Sequence, residues 1–504
     1  MATKLYSAAI HGLDSQLVEV EVEIVKNMAE FKIVGLPDTT ISEAKERVRS
    51  AVRNSGAKFP PSKVIANLAP AAVRKNGALY DVPLSLAILA ASGQVAPDSH
   101  ALYVGELSLS GEVRPVPGVL SIALLAKKLK KSCVYVPREN ANEASLVPGV
   151  IVYGVATLSE LMAHFKGEKT LEPWKNSDDT KFWAVSAETD FADVNGQAFA
   201  KRALEIAAAG AHNILLWGPP GSGKTMLAKA FPGILPPMEY QEALEVTQVY
   251  SVAGLLEPGA GIISRRPFRA PHHTASAPSL IGGGSHPRPG EISLAHRGVL
   301  FLDEVAEFPK YVLENLRQPL EDGIIRVSRA SASLTFPANI ILIAALNPCP
   351  CGNLGNADRE CTCTMSQVAS YRKKLSQPLL DRIDLHVEVP YIKVGEYAKA
   401  PSDDSRMVRK RVEIARGRQL LRLKHSGVMN NSEMSAKQIK KFVHLEDLAQ
   451  KLLTDAVTKL HLSTRGYYKI QKIAQTIADL AGSDTITYNH LAEALQFREK
   501  SVFE

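Results

Sequence analysis

One stretch, NILLWGPPGSGKTMLAKA (Asn213 to Ala230), restricts the possible folds of this chain more than any other. An apolar run, NILLW, enters a glycine-rich loop and leaves through a segment with helical spacing, which predicts a strand, a phosphate-binding turn and a helix. Gly218, Gly221 and Gly223 let the main chain curl until its amides face an anion, and Pro219, Pro220 and Ser222 complete the loop. Lys224 can reach the β and γ oxygens of a nucleoside triphosphate, and the Thr225 hydroxyl can ligate Mg²⁺. Strand and helix patterns alternate from Val185 to about Val389, so the unit belongs to an α/β domain with a mostly parallel sheet.

Two further apolar strands end in groups suited to the same site. GVLFLDEV delivers Asp303 beside the metal and Glu304 to polarise a water. NIILIAALNP delivers Asn347, an amide able to sense the γ-phosphate, although Asn before Pro is also an ordinary turn signal.

At 504 residues the chain exceeds one ordinary domain, and 45% apolar with 22% charged residues is a balance that buries substantial cores. The first part, 1–165, reads as mixed α and β. LVEVEVEIV alternates like a half-exposed strand, TISEAKERVRSAVRNSG has helical spacing with Ser42 as a cap candidate, and CVYVP and VIVYGV are short strands. FKGEKTLEPWKNSDDTKFW is polar and aperiodic, a linker over about 166–184. The α/β domain then covers 185–393, and 394–504 reads as a helical domain. The longest apolar runs fall far short of the roughly 20 residues of a membrane span. The start has no apolar core of signal-peptide length, so a cytoplasmic protein is expected. A net charge of +7 permits an anionic partner without demanding one.

Four of the five cysteines cluster in NPCPCGNLGNADRECTCT. Cys349, Cys351, Cys361 and Cys363 form two Cys-x-Cys pairs, a set able to hold tetrahedral Zn²⁺ or simply to pack as small thiols in a turn. His272 and His273 have no third ligand at metal spacing and read as structural.

Phosphate loop, Asp-Glu strand, Asn347 and PLLDRIDLHVEV follow the order of the AAA+ ATPases. The chain most closely resembles their magnesium-chelatase-like group known as the ComM or YifB family. FRAPHHTASAPSLIGGGSHPRPGEISLAHRGVLFLDEV carries much of that likeness. The resemblance implies an AAA+ P-loop core, a C-terminal helical lid and ATP with Mg²⁺ as cofactors. It implies a homo-hexameric ring in which Arg382 is a finger reaching the neighbour's γ-phosphate and Arg465 of LSTRGYYKI is the sensor-2 arginine. Both roles suit a planar, permanently charged guanidinium. In such relatives two loops project into the pore, here Ser276 to Ser293 and the hairpin Gly323 to Ile340. Arg326 and Arg329 on the hairpin are candidate DNA phosphate contacts.

The basic run Arg406 to His425 is a second phosphate-binding candidate, or equally a solvated or intersubunit face. The implied function is a DNA motor, a helicase or branch-migration factor acting in natural transformation. A chelatase-type or protein-remodelling ATPase is the alternative.

The N-terminal part resembles a Lon-type proteolytic domain across VRKNGALYDVPLSLAIL and GELSLSGEVRPVPG. That likeness implies a serine–lysine dyad, yet Leu79 and Leu120 stand at the two positions. Neither can attack or take a proton, so an inactive scaffold or partner-binding module is expected.

Overall fold

The computed structural model describes residues 3–26, 28–35, 39–73, 75, 77–175, 189–284, 288–329, 332–354, 359–391 and 403–498. Residues 176–184 of the predicted linker and 330–331 at the tip of the predicted pore hairpin lie outside them.

Alternating apolar and acidic residues build the first sheet. Strands β1 (Thr3–His11) and β2 (Asp14–Val25) form an antiparallel hairpin. Val18, Val20 and Val22 point inward, while Glu19, Glu21 and Glu23 stay at least partly exposed. With β3 (Phe31–Val34), β4 (Lys63–Ala69), β5 (Leu102–Tyr103), β6 (Cys133–Pro137) and β7 (Ile151–Val155) the sheet order is β3-β4-β2-β1-β5-β6-β7. The helix predicted near Thr40 already begins at Thr39, so Ser42 lies inside its first turn and does not cap it.

Helix Asp81–Ala91 crosses this domain almost entirely buried and carries Ser85 with it. Leu79 and Leu120 are buried in the same core. Lys75, also buried, donates to the carbonyls of Gly35 and Pro70. The two residues at which the Lon-type resemblance implies a dyad are core leucines, and the neighbouring lysine serves the backbone.

In the second domain, β8 (Ile214–Trp217), β9 (Phe268–Arg269), β10 (Val299–Leu302), β13 (Ile341–Leu346) and β14 (Leu385–Glu388) form one parallel sheet in the order β9-β10-β13-β8-β14. Between β10 and β13 runs the antiparallel hairpin β11 (Ile324–Arg329) and β12 (Ala332–Pro337). Every residue of β10 and β13 is buried, as unbroken apolar runs require of a sheet covered on both faces. Ile214 and Leu216 pack into one apolar cluster and Leu215 into the other.

Helices Ser405–Leu423, Asp447–Lys459 and Thr464–Leu480 continue the first of those clusters, so the C-terminal helices share a core with the sheet domain. The basic run of Arg406 to His425 turns much of its charge inward. Arg409 donates to the Gly233 carbonyl and Arg416 to the Ala208 carbonyl. Arg411 pairs with Glu205 and Asp403, Arg418 with Asp484, and Arg422 with both oxygens of buried Asp479. Five of the eight basic residues of the run are thus engaged within the chain, while Arg406, Lys410 and Lys424 are exposed. Helix Tyr240–Ala253 joins the two domains: Leu244 enters the N-terminal core, and Gln248 donates to the Leu13 carbonyl at 2.9 Å.

Candidate functional site

Parallel register places three strand ends side by side. Ile214 to Trp217 of β8 pair with Ile343 to Leu346 of β13, and Leu302 of β10 pairs with Ala344 of β13. Gly218, Asn347 and Asp303, the next residues of each chain segment, therefore share the carboxyl edge of the sheet, where α/β proteins bind their ligands. The loop packs against its own sheet: a Cβ on Gly218 would lie 2.1 Å from the Val389 carbonyl oxygen. Gly221 and Gly223 have φ of +77° and +93°, conformations that side chains resist, and Gly223 leads into helix Lys224–Ala230.

Lys224 is buried and donates to the carbonyls of Gly218 (2.6 Å) and Pro219 (2.9 Å) and to Oδ1 of Asn347 (3.1 Å). Burial pushes its ammonium down to about 8, against the pull of the nearby Asp303 and Glu304 carboxylates. Thr225 Oγ1 donates to Asp303 Oδ2 at 2.8 Å. A hydroxyl and a carboxylate oxygen thus converge, which is the hard-oxygen chemistry Mg²⁺ takes. Glu304 is exposed on a left-handed backbone (φ +48°), and its N–H donates to Asp303 Oδ1 at 3.0 Å. Sequence reasoning missed Tyr371. Burial, with the Glu307 and Glu304 carboxylates nearby, pushes its phenol well above its ordinary range.

The two candidate arginines occupy the opposite edge. β14 pairs in parallel with β8 from Leu385 beside Ile214, and Arg382 precedes that strand. Its carbonyl accepts from Asn213 Nδ2 at 3.1 Å, at the start of β8. At about 3.3 Å per residue, the length of β8 puts roughly 15 Å between that point and Gly218. The Arg382 side chain runs to the Pro378 carbonyl (2.6 Å) and to the Glu321 carboxylate. Arg465 meets the same Glu321 at 3.5 Å. Arg382 holds the Glu321 carboxyl below its usual range. Beside them a cleft of about 610 Å³ carries further cations, among them Arg416, Lys469 and Lys472. Glu321, which gathers both arginines, is the second residue that sequence reasoning missed; no local pattern marks it.

On the hairpin, the Arg326 side chain is exposed and Arg329 ends β11 with its side chain outside the described residues. Leu334 of β12 lies next to Gly12, in the turn between β1 and β2, so the N-terminal domain meets the hairpin. The segment from Ser276 holds helix Ala277–Ile281, and Gly282 and Gly283 pair with Pro289 and Arg288. The Sγ atoms of Cys349, Cys351, Cys361 and Cys363 all lie within 4.8 Å of one another. His272 hydrogen-bonds Thr274 and stacks near His273, outside that group.

Residues 190–397 match the family described as magnesium chelatase, subunit ChlI; residues 402–498 match its C-terminal family, and 20–140 that of subunit ChlI of Mg-chelatase. Competence protein ComM of Haemophilus influenzae is 42% identical over 502 residues, spanning 98% of this chain and 97% of that protein. The chain belongs to the ComM/YifB family of magnesium-chelatase-like proteins. The uncharacterised protein YifB of Escherichia coli is equally similar, 42% identical over 501 residues and 98% of this chain. The magnesium-chelatase 38 kDa subunit of Rhodobacter capsulatus is 24% identical over 31% of this chain and 50% of its own length. The family is of the AAA+ ATPase type, and its P-loop α/β core with a helical C-terminal region is the fold described above. Among the described residues no helix is long and apolar enough to cross a membrane.

Proposed function

We propose that this chain is a ring-forming, ATP-dependent DNA motor, a cytoplasmic helicase or branch-migration factor that extends the joint between incoming and resident DNA. The observation that carries the ring is the division of the site. The phosphate loop sits at one sheet edge, while Arg382 and Arg465 sit on Glu321 at the other. One chain cannot close its own arginines on its own nucleotide, so a neighbour supplies them, and a homo-hexamer is the assembly proposed.

Within that ring the loop from Gly218 to Thr225 cradles the phosphates. Lys224 exchanges its bonds to the Gly218 and Pro219 carbonyls for phosphate oxygens and keeps the one to Asn347. Thr225 and Asp303 are the residues that would hold Mg²⁺; when bound, it neutralises charge on the β and γ oxygens. Asn347 orients the reacting end through its bond to Lys224, and Glu304 takes a proton from the attacking water. Arg382 and Arg465 leave Glu321 for the neighbour's γ-phosphate, where their charge counts only as the bond breaks.

Arg326 and Arg329 of the hairpin are the contacts proposed for a phosphate backbone, which they would meet without reading bases. The name of the Haemophilus relative, a competence protein, supports DNA as the substrate. The N-terminal domain, with leucines where a dyad would stand, acts as a partner-binding module. The chelatase-type reading draws on the likeness to the Rhodobacter subunit, which covers only a third of the chain. An ATPase assay with single-stranded, duplex and branched DNA separates them. Turnover should rise with DNA and most with its preferred form; no stimulation by any DNA supports the chelatase or protein-remodelling alternative.

A further inference from the structure

We propose that Cys349, Cys351, Cys361 and Cys363 hold one structural zinc ion, and that this centre clamps the nucleotide loop through Gly352 and Pro220. The sulfur separations carry the metal half. Cys349 Sγ lies 3.4 Å from Cys351 Sγ and 3.7 Å from Cys361 Sγ, and the latter two are 3.6 Å apart. Disulfide sulfurs would be about 2.05 Å apart. A zinc–sulfur bond of about 2.3 Å sets tetrahedral sulfurs roughly 3.8 Å apart, close to what is seen. Two backbone amides already serve the sulfurs: Leu354 N–H points at Cys349 Sγ (3.3 Å) and Cys351 N–H at Cys363 Sγ (3.4 Å). Such outer bonds stabilise thiolates and orient them. Four soft sulfur ligands select zinc over Mg²⁺. Residues 355–358, between the pairs, lie outside the described residues.

The clamp half follows from where the centre sits. Asn347, which bonds Lys224, is two residues from Cys349, a buried ligand. Gly352 lies between the two arms at φ +78°, and a Cβ there would come 2.5 Å from Pro220 Cδ. The thiol loop therefore rests directly on the phosphate loop, and the metal fixes its shape. This half depends on the nucleotide reading given above; the metal half does not.

The test uses the full chain purified in reductant without chelator. Elemental analysis should give one zinc per chain, and cobalt refolded into wild-type protein should give the charge-transfer absorption of a tetrahedral thiolate site. Well under one zinc per chain with no such absorption overturns the metal half. Cys361→Ser with Cys363→Ser should lose the zinc and bind a fluorescent ATP analogue on the order of tenfold more weakly. Gly352→Ala should keep the zinc and still weaken that binding. A zinc-loaded Gly352→Ala variant with wild-type affinity overturns the clamp, whether or not the cysteine variant folds. Lys224→Ala separates the two readings: zinc stays at one per chain while nucleotide binding disappears. If Lys224→Ala instead binds the analogue normally, the nucleotide reading fails and the metal half stands on its own data.

Discussion

Burying Lys224 weakens its hold on a proton, since desolvation pushes the ammonium down to about 8. Bound phosphates favour the charged amine, so its pKa rises on binding and the complex takes up protons. At pH 8 the uptake should be about half a proton per site, shrinking towards zero as the pH drops well below 8. Affinity should fall as pH rises through 8. Calorimetry in buffers of different ionisation enthalpy measures this, and proton release at pH 8 would contradict it. Lys224→Ala should abolish ATP binding, because the β and γ charges lose their main cation. Glu304→Gln should bind ATP normally and stop turnover; equal loss of affinity in both variants would show the roles misassigned.

Elements differ in how openly the sequence announces them. The three strand ends are legible because each is a local event, an apolar run followed at once by Gly218, Asp303 or Asn347. The orientation of helix Ser405–Leu423 is not, because a run of arginines looks the same whether its partners are phosphates or buried carboxylates. Its partners, Glu205, Asp479 and the carbonyls of Ala208 and Gly233, come from distant parts of the chain. Glu321 is hidden for the same reason. The Arg422 pair has a cost attached: Asp479 is fully buried, and Asn431 adds one more bond to it at 2.8 Å. Arg422→Ala strands that carboxylate and should destabilise the chain by about 3–5 kcal/mol, read as a lower denaturant midpoint. A shift within the error of a surface substitution would remove the network from the stability account. The hairpin makes the opposite forecast. Replacing Arg326 and Arg329 together with alanine should leave folding and basal ATPase intact. It should weaken DNA binding regardless of sequence and flatten its salt slope by up to roughly one unit for each phosphate left without its arginine. Wild-type DNA stimulation in that variant would remove the hairpin from the mechanism.

For the whole molecule, the proposed ring rests on the phosphate loop lying at one sheet edge and Arg382 and Arg465 at the other. Apolar contacts tie the helical domain to the sheet, and Leu244 ties the N-terminal domain to it. Arg382→Ala should leave ATP binding by its own loop near wild type while turnover collapses, by about 10³-fold or more when a finger is removed. The most direct measurement mixes two inactive proteins. Arg382→Ala subunits keep Lys224, and Lys224→Ala subunits keep Arg382. In rings shown to contain both, ATP hydrolysis should reappear, greatest near equal proportions, because some interfaces then carry an intact loop facing an intact arginine. Mixed rings that stay as inactive as their parents would contradict a site shared between neighbours.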